Sequence, residues 1–335
     1  MNKKLVIFGP WCGEFCYELS WWIPEIRKVR NTDFKDWDAL AVGFDGRKIL
    51  YEDFTDGYVP YPKEIDDTLM YPATYGEHIN GKDIIPENLK DFVVQVAGYY
   101  QSEGYSEIKV WWPGTMPISA ERTLSEEIFG ETRHYEASEE ILNSIRDEIS
   151  FDNDRETVAV MARIRHRNGN ICKLDWNPKH WETFIDMLIN DLKVNVVMIG
   201  IPRKEGSSAG GALSMEDTEM YKKNKDYIKP IVFTGIDSVE RQIALLQSTR
   251  CSIYGASGTA VFPFFVKDAP TFTQQTKEEG FRLKWKWERD LTNNLKNVKV
   301  FDKYKNFDIF ESSPEELFGE FKEFYNNIEE GICYE

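Results

Sequence analysis

The chain of 335 residues is 41% hydrophobic and 14% aromatic, enough for two packed cores at roughly 150 residues per domain. Its net charge of −16 opposes binding along a duplex phosphate backbone, and no apolar run approaches the roughly 20 residues that span a bilayer. Five cysteines at unpatterned spacings (Cys12, Cys16, Cys172, Cys251, Cys333) indicate neither a disulfide framework nor a zinc site, and Lys3-Lys4 does not lead into a signal-peptide core, so a cytoplasmic location is expected.

Leu5–Phe8 reads as a buried strand, followed by the stretch GPWCGEFCYEL, where Gly9, Pro10 and Gly13 impose a turn before a helical pattern begins at Tyr17. Asp36-Trp37-Asp38 has the D-x-D spelling of a divalent-ion site, but it precedes the strand Ala39–Phe44 and so falls on the sheet edge away from ligands; it is not counted as a metal site. A helix with Leu89, Phe92, Val93, Val96, Tyr99 and Tyr100 on one face comes before the strand Ile108–Trp112. The polar stretch FDNDRE near residue 150 separates a first domain, 1–150, from a second, 151–312. There Thr157–Ala162, Val194–Ile199 and Cys251–Tyr254 read as strands. Asn177-Pro178 starts a helix carrying Trp181, Phe184, Ile185, Leu188 and Leu192, and Asp237 starts the helix SVERQIALLQST. Ser313-Pro314-Glu315-Glu316 spells a capping box for a last helix within 313–335, with an apolar stripe of Leu317, Phe321, Phe324 and Ile328. Strands alternating with helices imply an α/β fold with mostly parallel sheets.

Ligands of open α/β sheets bind beyond the carboxyl ends of the strands, so the residues just after each strand carry the chemistry. The first turn lacks the glycine patterns of dinucleotide and P-loop sites. Glu14 stands there as a candidate general base, or as a carboxylate favoured by the following helix N-terminus. Gly13, Trp11, Asp45 and Glu18 are candidate acceptor contacts, although Glu18 also suits a plain surface acid. After the Thr157 strand, Arg163, Arg165 and Arg167 alternate, with His166 between them and Lys173 beyond. Guanidinium forks on one face of an extended segment suit a diphosphate. Gly255, Ser257, Gly258 and Thr259 open an apolar helix in GASGTAVFPFF, aiming free N–H groups at an anion, or serve as a tight junction of small residues. Residues 1–150 carry 15 Lys and Arg against 28 Asp and Glu, and 151–335 carry 26 against 29; the second half is the place for an anionic ligand. In QQTKEEGFRLKWKWERD, Lys284, Lys286, Trp285 and Trp287 mix charge with aromatic faces that stack on bases or sugars, though an amphipathic edge is the simpler reading. Four scattered histidines (His78, His134, His166, His180) form no metal cluster.

Taken in order, the glycine turn with an acidic residue, the strand ending in R-x-R and the late GASGTAVFP resemble the two-domain GT-B glycosyltransferases, above all the heptosyltransferase-like branch. That branch has Gly-Asp where this chain has Gly13-Glu14. The chain departs from it also at Asp175-Trp176, where relatives often show Asn-Trp, and at Ala-Ser-Gly in place of Asp-Ser/Thr-Gly. The resemblance implies two Rossmann-like domains facing a cleft, with an acceptor site in the first, a nucleotide sugar in the second and a final helix crossing back to the first. It implies an inverting transfer in which Glu14 deprotonates an acceptor hydroxyl. Arg163, Arg165, Lys173 and the Ser257–Thr259 helix start would hold the leaving diphosphate without a metal or other cofactor. A carbohydrate or other small hydroxyl compound is the favoured acceptor. A phage-type transfer to a hydroxymethylated DNA base is the alternative, favoured by the Lys277–Arg289 segment and opposed by the acidic first half. A nucleotide-sugar epimerase and a non-catalytic binding module are the rivals on the same fold.

Overall fold

The computed structural model describes residues 3–13, 15, 18–66, 85–113, 133–164, 166–167, 170–171, 175–200, 211–212, 215–255, 258–274, 298–301 and 312–328. The chain divides into two compact units, Met1–Arg133 with Thr234–Val239, and His134–Phe233 with Glu240–Glu335.

In the first unit, β1 (Lys3–Phe8), β2 (Asp38–Gly43), β3 (Gly57–Pro60) and β4 (Tyr105–Trp111) form one sheet in the order β3-β2-β1-β4, and every pairing is parallel. Leu5 to Phe8 and Ala39 to Val42 are buried throughout, as the continuous apolar runs of a doubly covered parallel strand require. β1 leads into a π-wound turn, Glu18–Trp22, and then α1 (Ile23–Thr32). Pro24 has no N–H to donate to the carbonyl of residue 20, and regular α winding gives way at that point. α2 (Glu87–Ser102) buries Leu89 and Val93, while Tyr99 at the end of the expected stripe is exposed.

The second unit repeats the plan with a main sheet of six strands: β5 (Thr157–Met161), β6 (Asn195–Gly200), β7 (Ile228–Val232), β8 (Cys251–Tyr254), β9 (Thr271–Gln274) and β10 (Val298–Phe301). They lie in the order β7-β6-β5-β8-β9-β10, all parallel. Numbered within the unit this is 3-2-1-4-5-6, the Rossmann order, and the first unit has its 3-2-1-4 portion. Both are therefore Rossmann-like, as expected. Among the described residues, the α-helices of this unit are α3 (Glu139–Glu148), α4 (Pro178–Asn190), α5 (Glu219–Asn224), α6 (Ser238–Ser248, from Glu240 on) and α7 (Pro314–Asn326). The Asn177 side chain accepts from the Lys179 N–H at the start of α4, and Ser313 and Glu316 close the capping box of α7.

Two expectations are corrected. The first unit ends at Arg133 rather than near residue 150, because the chain from 134 onward is tied into the second. Tyr135 bridges to Val266, the Ala137 N–H donates to Gln247 Oε1 at 2.9 Å, Ser138 bonds Glu240 through both N–H and hydroxyl, and Glu148 on α3 pairs with Arg241. The final helix, expected to cross back to the first domain, packs instead within the second. Leu317, Phe321, Phe324 and Tyr325 share one core with Trp181, Phe184, Leu188 and Phe272, and the Phe321 ring stands edge-on to Phe184 and Phe272 at 6.1 and 5.5 Å. The stripe finds its partner on α4 and β9. Glu156, paired with Arg250 at 2.7 Å, also accepts from the Tyr325 hydroxyl and anchors the far end of α7.

Candidate functional site

In the second sheet the strand order reverses between β5 and β8, and the crevice at such a reversal, outside the carboxyl ends, is where α/β sheets bind ligands. β5 runs out through Ala162 to Arg163 and β8 through Tyr254 to Gly255, with Tyr254 opposite Met161. The Gly255 N–H donates to the Met161 carbonyl at 3.1 Å. A Cβ on Gly255 would stand 3.1 Å from the buried Trp181 ring and 3.5 Å from the Arg163 nitrogen. The glycine thus lets the two strand ends close together. Arg163, partly exposed, is in a short antiparallel ladder with Ala212, and His166-Arg167 pairs with Asn170-Ile171 in a separate hairpin.

The apolar helix expected after Gly255 is present, but it is not α-wound. Gly258–Phe265 is a 3-10 helix with Pro263 inside it, since proline supplies no N–H for a continuing α ladder. Its Ala260, Val261, Phe262, Phe264 and Phe265 are buried, so the segment is anchored in the core and its amino end, at Gly258-Thr259, belongs to the carboxyl edge. One polar group there has no signal in the sequence: the buried Thr273 hydroxyl, opposite Tyr254 on β9, has no hydrogen-bond partner among the described residues. Arg165, Lys173 and Ser257, and the segment containing Lys284, Trp285, Lys286 and Trp287, lie outside the described residues.

The corresponding reversal in the first sheet lies between β1 and β4. Gly9, at φ 131°, donates its N–H to the Trp111 carbonyl at 3.1 Å, and a Cβ on it would meet the Val42 carbonyl oxygen at 2.5 Å. Trp11 is not an acceptor contact. It is fully buried, stacked on Trp22 with centroids 5.8 Å apart and 16° between planes, and its carbonyl accepts from the Tyr61 hydroxyl at 2.8 Å. Gly13 is the residue its ring leaves room for: a Cβ there would lie 2.5 Å from Trp11 Cζ2.

Glu18 is corrected as well. Its carboxylate is fully buried, paired with Arg47 and accepting from the Tyr51 hydroxyl at 2.6 Å, so it neither lies on the surface nor reaches an acceptor. Burial pushes its pKa above the usual 4.5, with Arg47 and Tyr51 opposing. The Arg47 guanidinium lies 4.2 Å from the Phe44 centroid and 4.9 Å from that of Phe15. Nothing in the sequence joins Arg47 or Tyr51 to Glu18, because the three meet only through the β1–β2 pairing. Asp45, beyond β2, is exposed, its carboxylate accepting from the Gly46 N–H at 2.9 Å. Trp112, 38% exposed at the carboxyl end of β4, reads in the sequence only as the end of a strand. Asp38 is at the amino end of β2, bonded by the Tyr105 hydroxyl at 2.7 Å, as the order of motif and strand implied. Glu14 lies outside the described residues. Among the described residues there is no cluster of three metal-ligating side chains and no helix long and apolar enough to cross a membrane.

No protein-family model and no curated protein matches the chain. Solved structures do. The chain is similar to E. coli ADP-heptose lps heptosyltransferase II, with 11% identity, 97% of this chain and 98% of that one covered and a TM-score of 0.56. A glycosyl transferase family 9 protein from Veillonella parvula gives 11% identity, 97% and 98% coverage and a TM-score of 0.54. The E. coli heptosyltransferase WaaC with ADP gives 10% identity, 96% and 99% coverage and 0.51. At such identities the likeness is one of fold, and it extends over both units.

Proposed function

We propose that this chain is a glycosyltransferase that moves a sugar from a nucleoside-diphosphate donor to an acceptor hydroxyl, with inversion and without a metal. The observation that carries the reading is the strand reversal of the second sheet, where Arg163 and Gly255 adjoin at a Rossmann switch point. An arginine and the free N–H groups of a helix start are a diphosphate's two natural partners, and they stabilise the charge that grows on it as the glycosidic bond breaks. The fold likeness to heptosyltransferases, one of them solved with ADP, supports the same placement.

The first unit supplies the acceptor side. Glu14 accepts the hydroxyl proton, the oxygen attacks the anomeric carbon from the face opposite the diphosphate, and the diphosphate leaves with the bonding pair. Trp112 offers an exposed aromatic face for a sugar ring, which favours a carbohydrate acceptor. A modified DNA base is the second acceptor class, and only the segment around Trp285 and Trp287 argues for it.

A thermal-shift panel with UDP, GDP, ADP and CMP tests the donor site, since a ligand at about 100 times its Kd adds roughly 2.7 kcal/mol of stability. One diphosphate is expected to stabilise the protein equally with EDTA present; no shift with any of the four refutes the donor site, and a strict need for Mg²⁺ or Mn²⁺ refutes metal independence. Glu14→Gln should keep that shift while transfer falls about 10²–10⁴-fold. A donor sugar that changes stereochemistry without acceptor would make the protein an epimerase.

A further inference from the structure

We propose that Arg47 is a positioning residue for the transfer reaction, fixing the first βα turn from the side of Phe15. The inference rests on the glycosyltransferase reading above. Arg47 follows β2 at the carboxyl edge of the first sheet, its side chain 12% exposed. One end of its guanidinium pairs with Glu18, and its Cζ lies over the Phe44 and Phe15 rings. Glu18 belongs to the π-wound turn, Tyr51 and Arg47 belong to the segment after β2, and Phe15 is a helical residue just past the first turn. A single charged group therefore joins three stretches of chain.

Stability alone does not account for this arrangement. Taking a carboxylate and a guanidinium out of water is costly, and apolar side chains of the same volume fill such a site at least as favourably. What an apolar filling does not supply is direction, and a planar guanidinium held by a fixed carboxylate has one orientation. The turn is held at its other end too, where the Tyr61 hydroxyl donates to the Trp11 carbonyl at 2.8 Å. Trp11 and Phe15 bracket Gly13 and Glu14 in sequence, so both supports act on either side of the position that the proposed function gives to the base. A base displaced by about 1 Å from its proton costs about 10²-fold in rate.

The test is the double variant Glu18→Leu/Arg47→Met in a Tyr51→Phe background, which removes both charges together with the hydroxyl that Glu18 holds and so leaves no unpaired polar group buried, with Arg47→Lys beside it. Turnover is read as nucleoside diphosphate released from the donor that the nucleotide panel selects, over a set of methyl glycoside acceptors. The double variant is expected to keep its melting temperature, its nucleotide shift and its KM for the donor, while kcat falls about 10²-fold. Arg47→Lys should recover part of the loss. Normal kcat in the double variant overturns the proposal, and so does a fall in kcat matched by a loss of folded protein. Glu14→Gln, measured in parallel, separates the two readings. Loss in Glu14→Gln with normal kcat in the double variant overturns positioning and leaves the base in place. Loss in the double variant alone keeps the turn as the supported element and moves the base elsewhere. Wild-type release no faster than in buffer overturns both.

Discussion

Gly13→Ala is the sharpest single test of the first turn. The added methyl would stand 2.5 Å from Trp11 Cζ2 and 2.9 Å from Cη2, where carbon atoms pack at about 3.5–4.0 Å. The indole has to retreat by about 1 Å to restore that spacing. It has no room: Trp11 is fully buried, stacked on Trp22 at 5.8 Å and tilted against Trp21 at 6.0 Å, and its own carbonyl is held by Tyr61. Overpacking of this kind costs about 1–3 kcal/mol. Denaturant unfolding measures it, with Gly98→Ala as the matched control. Gly98 is in α2, is exposed, and a Cβ added to it would meet nothing within 4 Å, so the same methyl there should stabilise by about 0.4–1 kcal/mol. Opposite signs at the two glycines are expected. A Gly13→Ala protein within about 0.5 kcal/mol of wild type would show that the Trp11 ring is free to yield and that the turn is not rigid.

Three further outcomes are expected. Arg163→Ala should weaken nucleoside-diphosphate binding by about 1.5–3 kcal/mol with the fold intact, and unchanged affinity by calorimetry would remove Arg163 from the donor site. Phe321→Ala should cost about 3–5 kcal/mol, since the ring is fully buried against Phe184 and Phe272; a loss below about 1 kcal/mol would mean that α7 is not part of this core. Glu18 is held above the usual 4.5 by burial, so its folded state binds the proton more tightly than the unfolded chain. Its contribution is full below that value and is lost as pH rises through the folded pKa. The melting temperature of wild type relative to Glu18→Gln should therefore fall over that window, and a difference independent of pH would contradict the burial of the carboxylate.

Most strands that are legible in the sequence are interior ones; the edge strand β4 is legible as well, and the interior β9 is not. Leu5–Phe8, Ala39–Phe44, Thr157–Ala162, Val194–Ile199 and Cys251–Tyr254 are covered on both faces, and burial writes itself as an unbroken apolar run. β3 and β7 escape such a reading, and both are edge strands containing proline, Pro60 and Pro230, the residue that argues against a strand everywhere except at an edge. The helix caps at Asn177 and Ser313 are readable because capping is local chemistry. The partner of the α7 stripe is not, since Leu317 and Phe321 are equally apolar whichever surface covers them. The same limit applies to the site. Arg163 and Gly255 are found by looking after strands, whereas the meeting of Glu18, Arg47 and Tyr51 depends on which strands pair.

The two units share one strand order but finish their switch points in opposite ways, and the difference suits opposite ligands. In the second, the glycine at Gly255 brings two strand ends together under an arginine and a helix start, in a half of the chain that is nearly balanced in charge. On the proposed function, a diphosphate meets less repulsion there than in the strongly acidic first half. In the first, the space beneath the turn is filled by Trp11, the turn is tied down by Tyr61 and Arg47, and the half around it carries 28 acidic against 15 basic residues. On the proposed function, a neutral hydroxyl acceptor suits this acidic half, because it loses nothing to electrostatic repulsion. If the first half instead takes a polyanionic acceptor such as DNA, its binding must weaken steeply with added salt through basic groups of the second half. Salt-independent KM for the acceptor would then exclude the nucleic-acid reading, and a steep salt slope would exclude the neutral carbohydrate.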